Sequence, residues 1–387
     1  MGESVIIKNF GPVKEAELRD IQKFTIIVGT SGSGKSTIMK LISLFRWLYK
    51  MLNIRAYLQK SGFKRSPFRL NLKSYLQDDG LHDYLKNDTY IEYRNDEVCL
   101  VIEGKNGDFK QISKVSDENL CLEKVVFITE KRNMIPDLLA NRMKEKDAPF
   151  YVRQLLEEFQ KASLITKGLP LSAVGVNLYS QKINGIDQWF IKNNESEGQN
   201  FYIHLEDASS GIQSLAPLNM LMDYYAHHFD LVKSLNNAVL KFLADNDGFK
   251  FFKPSEDVGD IKRKHIDIHI EEPELCLYPD NQLHLLNYIV KVIHHRDNDY
   301  ELSLMFTTHS PYMLNQLNLL FKAYDLGKEI EGASLNYNYT NVYVMENGIL
   351  KDIKVKNAHL INPEYLSQPL DDIYNQYEAI KENLYAQ

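Results

Sequence analysis

Gly29-Thr30-Ser31-Gly32-Ser33-Gly34-Lys35-Ser36 has the spacing G-x-x-x-x-G-K-[ST], and its flanks are those the spacing requires. Before it runs Phe24-Thr25-Ile26-Ile27-Val28, short, apolar and β-branched like a buried strand; after it, 37–45 repeats apolar residues at helical spacing. Strand, glycine loop and helix in that order read as a phosphate-binding loop. Glycines let the backbone curl until several N–H groups face one anion, and the helix N-terminus adds a positive partial charge at the same point. Lys35 is then expected to reach the β- and γ-phosphates and the Ser36 hydroxyl to ligate Mg2+, with Thr37 beside them. Taken alone, the motif fits kinases, GTPases and motors alike, and a glycine-rich turn that binds nothing is its bland alternative.

Composition bounds the rest. The chain has 387 residues, 44% hydrophobic and 25% charged, enough for one large or two smaller domains with a sizeable core. A formal charge of −7 argues against a uniformly basic nucleic-acid coat and leaves a local basic channel open. Cys99, Cys121 and Cys276 are odd in number and far apart, so neither a disulfide framework nor a zinc module is indicated, and a reducing cytoplasm is expected. No apolar run approaches the ~18 residues that cross a bilayer, and the N-terminus lacks the pattern of a signal peptide; no membrane partner is expected.

Two short strands, 4–10 and 13–18, meet at Gly11-Pro12 ahead of the loop, and the helix opening at Ser36 is expected to run toward Leu52. From 53 to about 200 the pattern changes, which reads as an inserted lid or arm with a β-subdomain around 89–112 and one core strand near 124–129. The expected division is therefore 1–52, 53–200 and 201–387, with the outer two segments forming one domain around the phosphate-binding loop. Within the insert Lys60, Lys64, Arg65, Arg69 and Lys73 interleave with Phe63 and Phe68, a composition that suits single-stranded nucleic acid and suits a solvated face better. Glu130 and Arg132 follow the 124–129 strand at the edge where ligands of α/β sheets collect, which makes Arg132 a candidate for nucleotide sensing or for contact with a partner lobe. A helix over 149–162 and strands over 183–191 and 201–205 complete the middle of the chain.

Three later stretches carry chemistry. Ser209-Ser210-Gly211 precedes an apolar helix and offers a second anion site, although by itself it reads first as an N-cap. Ile266, Ile268 and Ile270 make a strand that ends in Glu271-Glu272-Pro273-Glu274. Glu271 is placed to hold Mg2+ and Glu272 to polarise the attacking water, while Pro273 stops the strand at the edge where a site belongs. Thr307-Thr308-His309-Ser310-Pro311 ends another apolar strand, so His309 is a candidate γ-phosphate sensor. The pairs His227-His228 and His294-His295 lack convincing metal partners.

Taken together, GTSGSGKST, SSGIQ, IDIHIEEPELCLYP and TTHSPYML resemble the Walker A, signature, Walker B and switch-histidine motifs of ABC-type ATPases, in the RecF, SMC and OLD-like branch. The resemblance also takes in IIKNFGPVKEAEL at the N-terminus. It implies an α/β fold: a P-loop NTPase sandwich with a central mostly parallel sheet, an antiparallel N-terminal β-subdomain and an inserted α-helical or mixed lid. It further implies a homodimer formed head to tail on two ATP molecules. Lys35 and Ser36 would then bind phosphate and Mg2+, Glu271 support the metal, Glu272 act as catalytic base and His309 as switch. Ser209, Ser210 and Gly211 would reach the ATP of the partner chain.

The chain departs from the pattern in reading SSGIQ for LSGGQ, in Glu271 for aspartate, in Tyr278 before Pro279, and in lacking a Q-loop glutamine, whose place falls to Glu130 or Arg132. Long heptad runs are absent, which excludes a long coiled coil. The expected function is an ATPase that couples dimerisation to DNA binding or to a separate effector such as a nuclease or toxin, in anti-phage defence or DNA repair. A transporter subunit is disfavoured by the span from Ser36 to Glu271, and the tail after His309, with strands near 341–345 and a helix near 370–384, is too short for a Toprim nuclease.

Overall fold

The computed structural model describes residues 2–62, 72–78, 80–193, 202–245, 260–294, 300–362 and 372–381. In chain order the elements are β1 (Ser4–Phe10), β2 (Val13–Leu18), β3 (Phe24–Gly29), α1 (Lys35–Lys60), α2 (Leu72–Asp78), β4 (Tyr90–Asn95), β5 (Val98–Glu103), β6 (Asp108–Gln111), β7 (Cys121–Ile128) and α3 (Ile135–Leu139). They continue with α4 (Phe150–Ser163), β8 (Gly168–Leu171), β9 (Val176–Ile183), β10 (Ile186–Asn193), β11 (Tyr202–His204), α5 (Ser210–Asp223) and α6 (Leu231–Asp245). Last come β12 (Arg263–Glu271), α7 (Pro279–His294), β13 (Glu301–Thr308), α8 (Pro311–Asp325), β14 (Thr340–Glu346) and β15 (Ile349–Asp352).

The fold is α/β, and its parallel and antiparallel parts are two halves of one 11-stranded mixed sheet, ordered β6-β5-β4-β1-β2-β15-β14-β3-β13-β12-β7. From β14 to β7 every neighbour is parallel, with the loop-bearing β3 between β13 and β14. From β6 to β2 every neighbour is antiparallel. The seam between the halves is thin: Ile349 pairs with Glu15, and Gly348 O accepts from the amides of Lys14 and Glu15.

Alternation along β12 decides what each face of the sheet carries. Ile266, Ile268 and Ile270 enter a core shared with α4, α5, α7 and α8. The intervening Asp267, His269 and Glu271 point the other way, toward α1. On that side α1 buries Ile38, Met39, Leu41, Ile42, Phe45, Leu48 and Leu52 in a second core with Val5, Ile7, Ile91, Tyr93, Leu100 and Ile102 of the antiparallel half. One helix thus spans both halves, and it runs on to Lys60 rather than 52, where Tyr57 and Leu58 join the other core.

The stretch 53–200 does not form one body. Strands β4–β6 extend the main sheet from β1, and β7 closes its far edge beside β12. Strands β8–β11 make a separate antiparallel sheet. Of the strand expected over 183–191, 186–191 lie in β10, while Asn184 and Gly185 form the turn from β9: both take positive φ, 52° and 83°, which a two-residue turn of the I′ kind needs. Most of the basic and aromatic run 60–73 lies outside the described residues, as do parts of the 370–384 helix and His295. No helix among the described residues is long and apolar enough to cross a membrane.

Candidate nucleotide site

All the singled-out motifs except the signature lie where parallel strands end. Gly29, the last residue of β3, has φ +153°, and a Cβ there would stand 2.6 Å from Met345 O. Gly34 takes φ +110° as the residue capping α1, where a side chain would press on Pro12, Val13 and Met345. Any other residue would push the loop off its neighbouring strand. Thr30, Ser31 and Gly32 are exposed, and the first turn of α1 contains no acid that would compete with an anion. Lys35 is buried and donates from Nζ to Gly29 O at 2.8 Å and to Thr30 O at 2.9 Å. Burial lowers its pKa, against the pull of Glu272 and Glu274.

Glu271, at the end of β12, is 1% exposed. Its Oε2 lies 3.1 Å from the Thr129 hydroxyl and 3.4 Å from the Glu130 amide. Its Oε1 is buried without a hydrogen-bond partner, 4.0 Å from Lys40 Nζ. Burial, then the neighbouring Glu130 carboxyl, push Glu271 up to about 8, while Lys40 and the Ser36 hydroxyl oppose the rise. Against its own burial, Glu130 is held down to about 2 by hydrogen bonds from Glu271 and Thr129. A buried carboxylate oxygen with an empty valence, set against the Ser36 hydroxyl, fits a hard divalent cation with oxygen ligands such as Mg2+. Among the described residues, no three His, Cys, Asp or Glu side chains converge as an all-protein metal cage.

Glu272 follows with φ +44°, a left-handed conformation that costs a side-chain-bearing residue free energy. Its amide donates to Thr307 O at 3.0 Å, tying the turn to β13. Pro273 and the left-handed turn swing the Glu272 side chain off the strand, leaving it a quarter exposed and 3.4 Å from Nδ1 of the half-exposed His309. Glu274 was not singled out from the sequence, although it stands inside the quoted motif. Its Oε1 accepts from the Thr308 hydroxyl at 2.6 Å and from the His309 amide at 3.1 Å, so it sets where the histidine stands. Ser310 caps α8 by accepting from the Met313 amide, with Pro311 at the first helical position. Lys40 and Thr129 were also missed; each acts by touching Glu271, a contact made only in the fold.

Ser209 and Ser210 are exposed at the N-terminus of α5, and the Ser209 side chain makes no capping bond. Gly211 is different. It is buried, and a Cβ on it would come within 2.7 Å of Cys276 O, so its lack of a side chain serves packing on the loop after β12.

Arg132 is enclosed within the chain rather than set at its surface. It is 0% exposed, and all five of its N–H groups go to backbone carbonyls. Nε donates to Ser214 O (3.2 Å), Nη1 to Glu271 O (2.7 Å) and Thr129 O (3.3 Å), and Nη2 to Glu272 O (2.6 Å) and Pro273 O (3.2 Å). Burial lowers it to about 10, opposed by the surrounding glutamates. The residue after β7 whose carboxyl neighbours Glu271 is Glu130.

A family model described as the AAA ATPase domain matches residues 1–167 and 122–314. No curated protein matches the chain. Among solved structures, the SMC head domain from Thermotoga maritima aligns over 92% of this chain and 99% of its own at 14% identity, with a TM-score of 0.38. An SMC head bound to the C-terminal winged-helix domain of ScpA aligns over 90% and 96% at 14% identity and 0.39. The recombination mediator RecF aligns over 90% and 97% at 10% identity and 0.36.

Proposed function

The chain belongs to the AAA ATPase domain family, and from that premise we propose that it binds ATP with Mg2+ at Gly29–Thr37 and hydrolyses it with Glu272 as general base. The observation that carries this reading is the pair at the end of β12: Glu271 buried with an unpartnered oxygen against Ser36, and Glu272 turned out beside it. Neighbouring carboxylates in such different surroundings suit different tasks, one holding a cation and the other accepting a proton. When bound, Mg2+ would neutralise charge on the β- and γ-phosphate oxygens. Lys35, already at the loop's mouth, exchanges its two carbonyl partners for phosphate oxygens. Glu272 takes the proton of the attacking water, and His309, 3.4 Å away, holds that carboxylate toward the γ-phosphate side.

The exposed Ser209 and Ser210 support the composite site: their hydroxyls and the free amides of α5 complete the ATP site of a second chain packed head to tail. The ATP-bound dimer would act on DNA or on a partner effector, and stimulation of turnover by DNA separates the two.

Glu272→Gln is expected to slow phosphate release by roughly 10²- to 10⁴-fold while leaving ATP bound, and with ATP and Mg2+ to run as a stable dimer. A monomer under those conditions counts against the composite site, and undiminished turnover counts against Glu272. Lys35→Ala is expected to abolish nucleotide binding, measured with a fluorescent ATP analogue.

A further inference from the structure

A buried arginine whose five donors all end on backbone carbonyls is a fastener, and what it fastens here is specific. The carbonyls of Glu271, Glu272 and Pro273 belong to the turn that presents the metal acid and the general base. Thr129 O closes the end of β7, where Thr129 and Glu130 flank the Glu271 carboxyl. Ser214 O belongs to the second turn of α5, the helix whose exposed N-terminus carries Ser209 and Ser210.

A second, independent contact joins the same two bodies. Gly211 lies so close to Cys276 O that a methyl group would not fit, and Cys276 itself has φ +60°. The turn 130–134 that carries Arg132 also packs along α5. The first turns of α5 therefore cannot move relative to the turn 271–276 without stretching the Arg132 bonds or opening the Gly211 contact.

We propose that Arg132 is a positioning residue that couples the catalytic turn of one chain to its own signature helix, so that nucleotide and metal arriving at Glu271 and Glu272 reset the surface formed by Ser209, Ser210 and Gly211. This rests on the reading of Gly29–Thr37 as an ATP site. A rigid fork is required for the task. Lysine keeps the charge but, with three donors on one atom, cannot span carbonyls on three separate segments.

The test uses the full chain, diluted until mass photometry shows monomers, with ATP and Mg2+ as the probe and hydrogen–deuterium exchange as the readout. In the wild type, amide exchange over 209–216 is expected to change about threefold or more on adding ATP and Mg2+. In Arg132→Lys that response disappears and steady-state turnover falls roughly tenfold, while the Kd for ATP stays within about threefold. Arg132→Lys retaining the exchange response overturns the proposal, as does a wild-type monomer that binds ATP and shows no change over 209–216. A purely structural arginine would instead weaken ATP binding and thermal stability together. If Arg132→Lys does not fold, as circular dichroism would show, the wild-type arm decides alone. Failure of Glu272→Gln to dimerise would remove the composite site and leave the monomer exchange result standing, whereas failure to bind ATP at all would remove the site itself.

Discussion

Asp267 and Glu271 are two turns of the pleat apart on β12, point to the same face and are both almost completely buried, yet they are treated in opposite ways. Asp267 is crowded at one oxygen: Oδ1 has Arg46 Nη1 at 3.0 Å, the Ser303 hydroxyl at 2.5 Å and His265 Nε2 at 3.6 Å. Arg46 also makes a bidentate pair with Glu3 at 2.9 and 2.7 Å and faces His269 Nε2 at 3.2 Å, while Tyr93 donates to the same Glu3. Glu271 has a threonine hydroxyl, a long amide contact, a carboxyl for a neighbour and one oxygen with no partner. Buried charge is tolerable when paired and costly when not. At one end of the strand Arg46 serves Asp267 and Glu3 together, while Glu123 beside them keeps a buried Oε2 without a hydrogen-bond partner; at the other end the nearest cation to Glu271 is Lys40 at 4.0 Å.

Removing Arg46 breaks that contrast most. Arg46→Ala leaves buried Asp267 and partly buried Glu3 without their cation, and a loss of about 3–5 kcal/mol in unfolding free energy is expected by urea denaturation. A loss under about 1 kcal/mol would mean that the network is no better satisfied than the Glu271 end. The converse substitution sharpens the comparison. Glu271→Gln, measured without Mg2+ or nucleotide, is expected to change stability by less than about 1 kcal/mol or to raise it, because an uncompensated carboxyl is removed. The same variant should lose the Mg2+ dependence of ATP binding in a titration; keeping it would show that the metal sits elsewhere.

The smallest effect concerns a third acid, Glu158, on the opposite face beside Lys124. Burial raises its pKa, but the Lys124 charge and hydrogen bonds from Tyr225, Lys124 and Lys161 outweigh this and bring it down to about 2. A carboxyl lowered in the folded state stabilises it fully above the unfolded value near 4.5, and that contribution is lost as pH falls toward 2. Wild-type stability should therefore drop more steeply than that of Glu158→Gln between about pH 4.5 and 2, by roughly 1 kcal/mol per pH unit at most. Parallel curves would show that Glu158 is unpaired in solution.

Much of this was open to reading in the chain itself. The strand-loop-helix order around Gly29 to Ser36, the strand pair before it and the carboxylates ending the 266–270 strand are local patterns, set by propensity and period, and they suffice for the family. The β-strands of 90–111 were equally legible as strands. Their attachment to β1, which makes them part of the main sheet, was not, because strand pairing between distant segments leaves no mark in either segment alone. The 184–185 hairpin could have been read from Asn-Gly, the turn that favours two positive φ values.

The sequence by itself determined a strand, a glycine loop of G-x-x-x-x-G-K-[ST] spacing, a helix and a pair of acidic residues at a strand end, because each needs only neighbours along the chain. Only the tertiary structure decided what Arg132, Gly211 and Glu274 do. Arg132 looked like a surface sensor because arginine at a strand end usually reaches outward, and the fold instead surrounds it with five carbonyls from three segments. Gly211 is small for the sake of a carbonyl 65 residues away, and Glu274 is acidic for the sake of Thr308 and His309. Such partners are assigned by packing, which brings distant backbone to a side chain after both have been chosen.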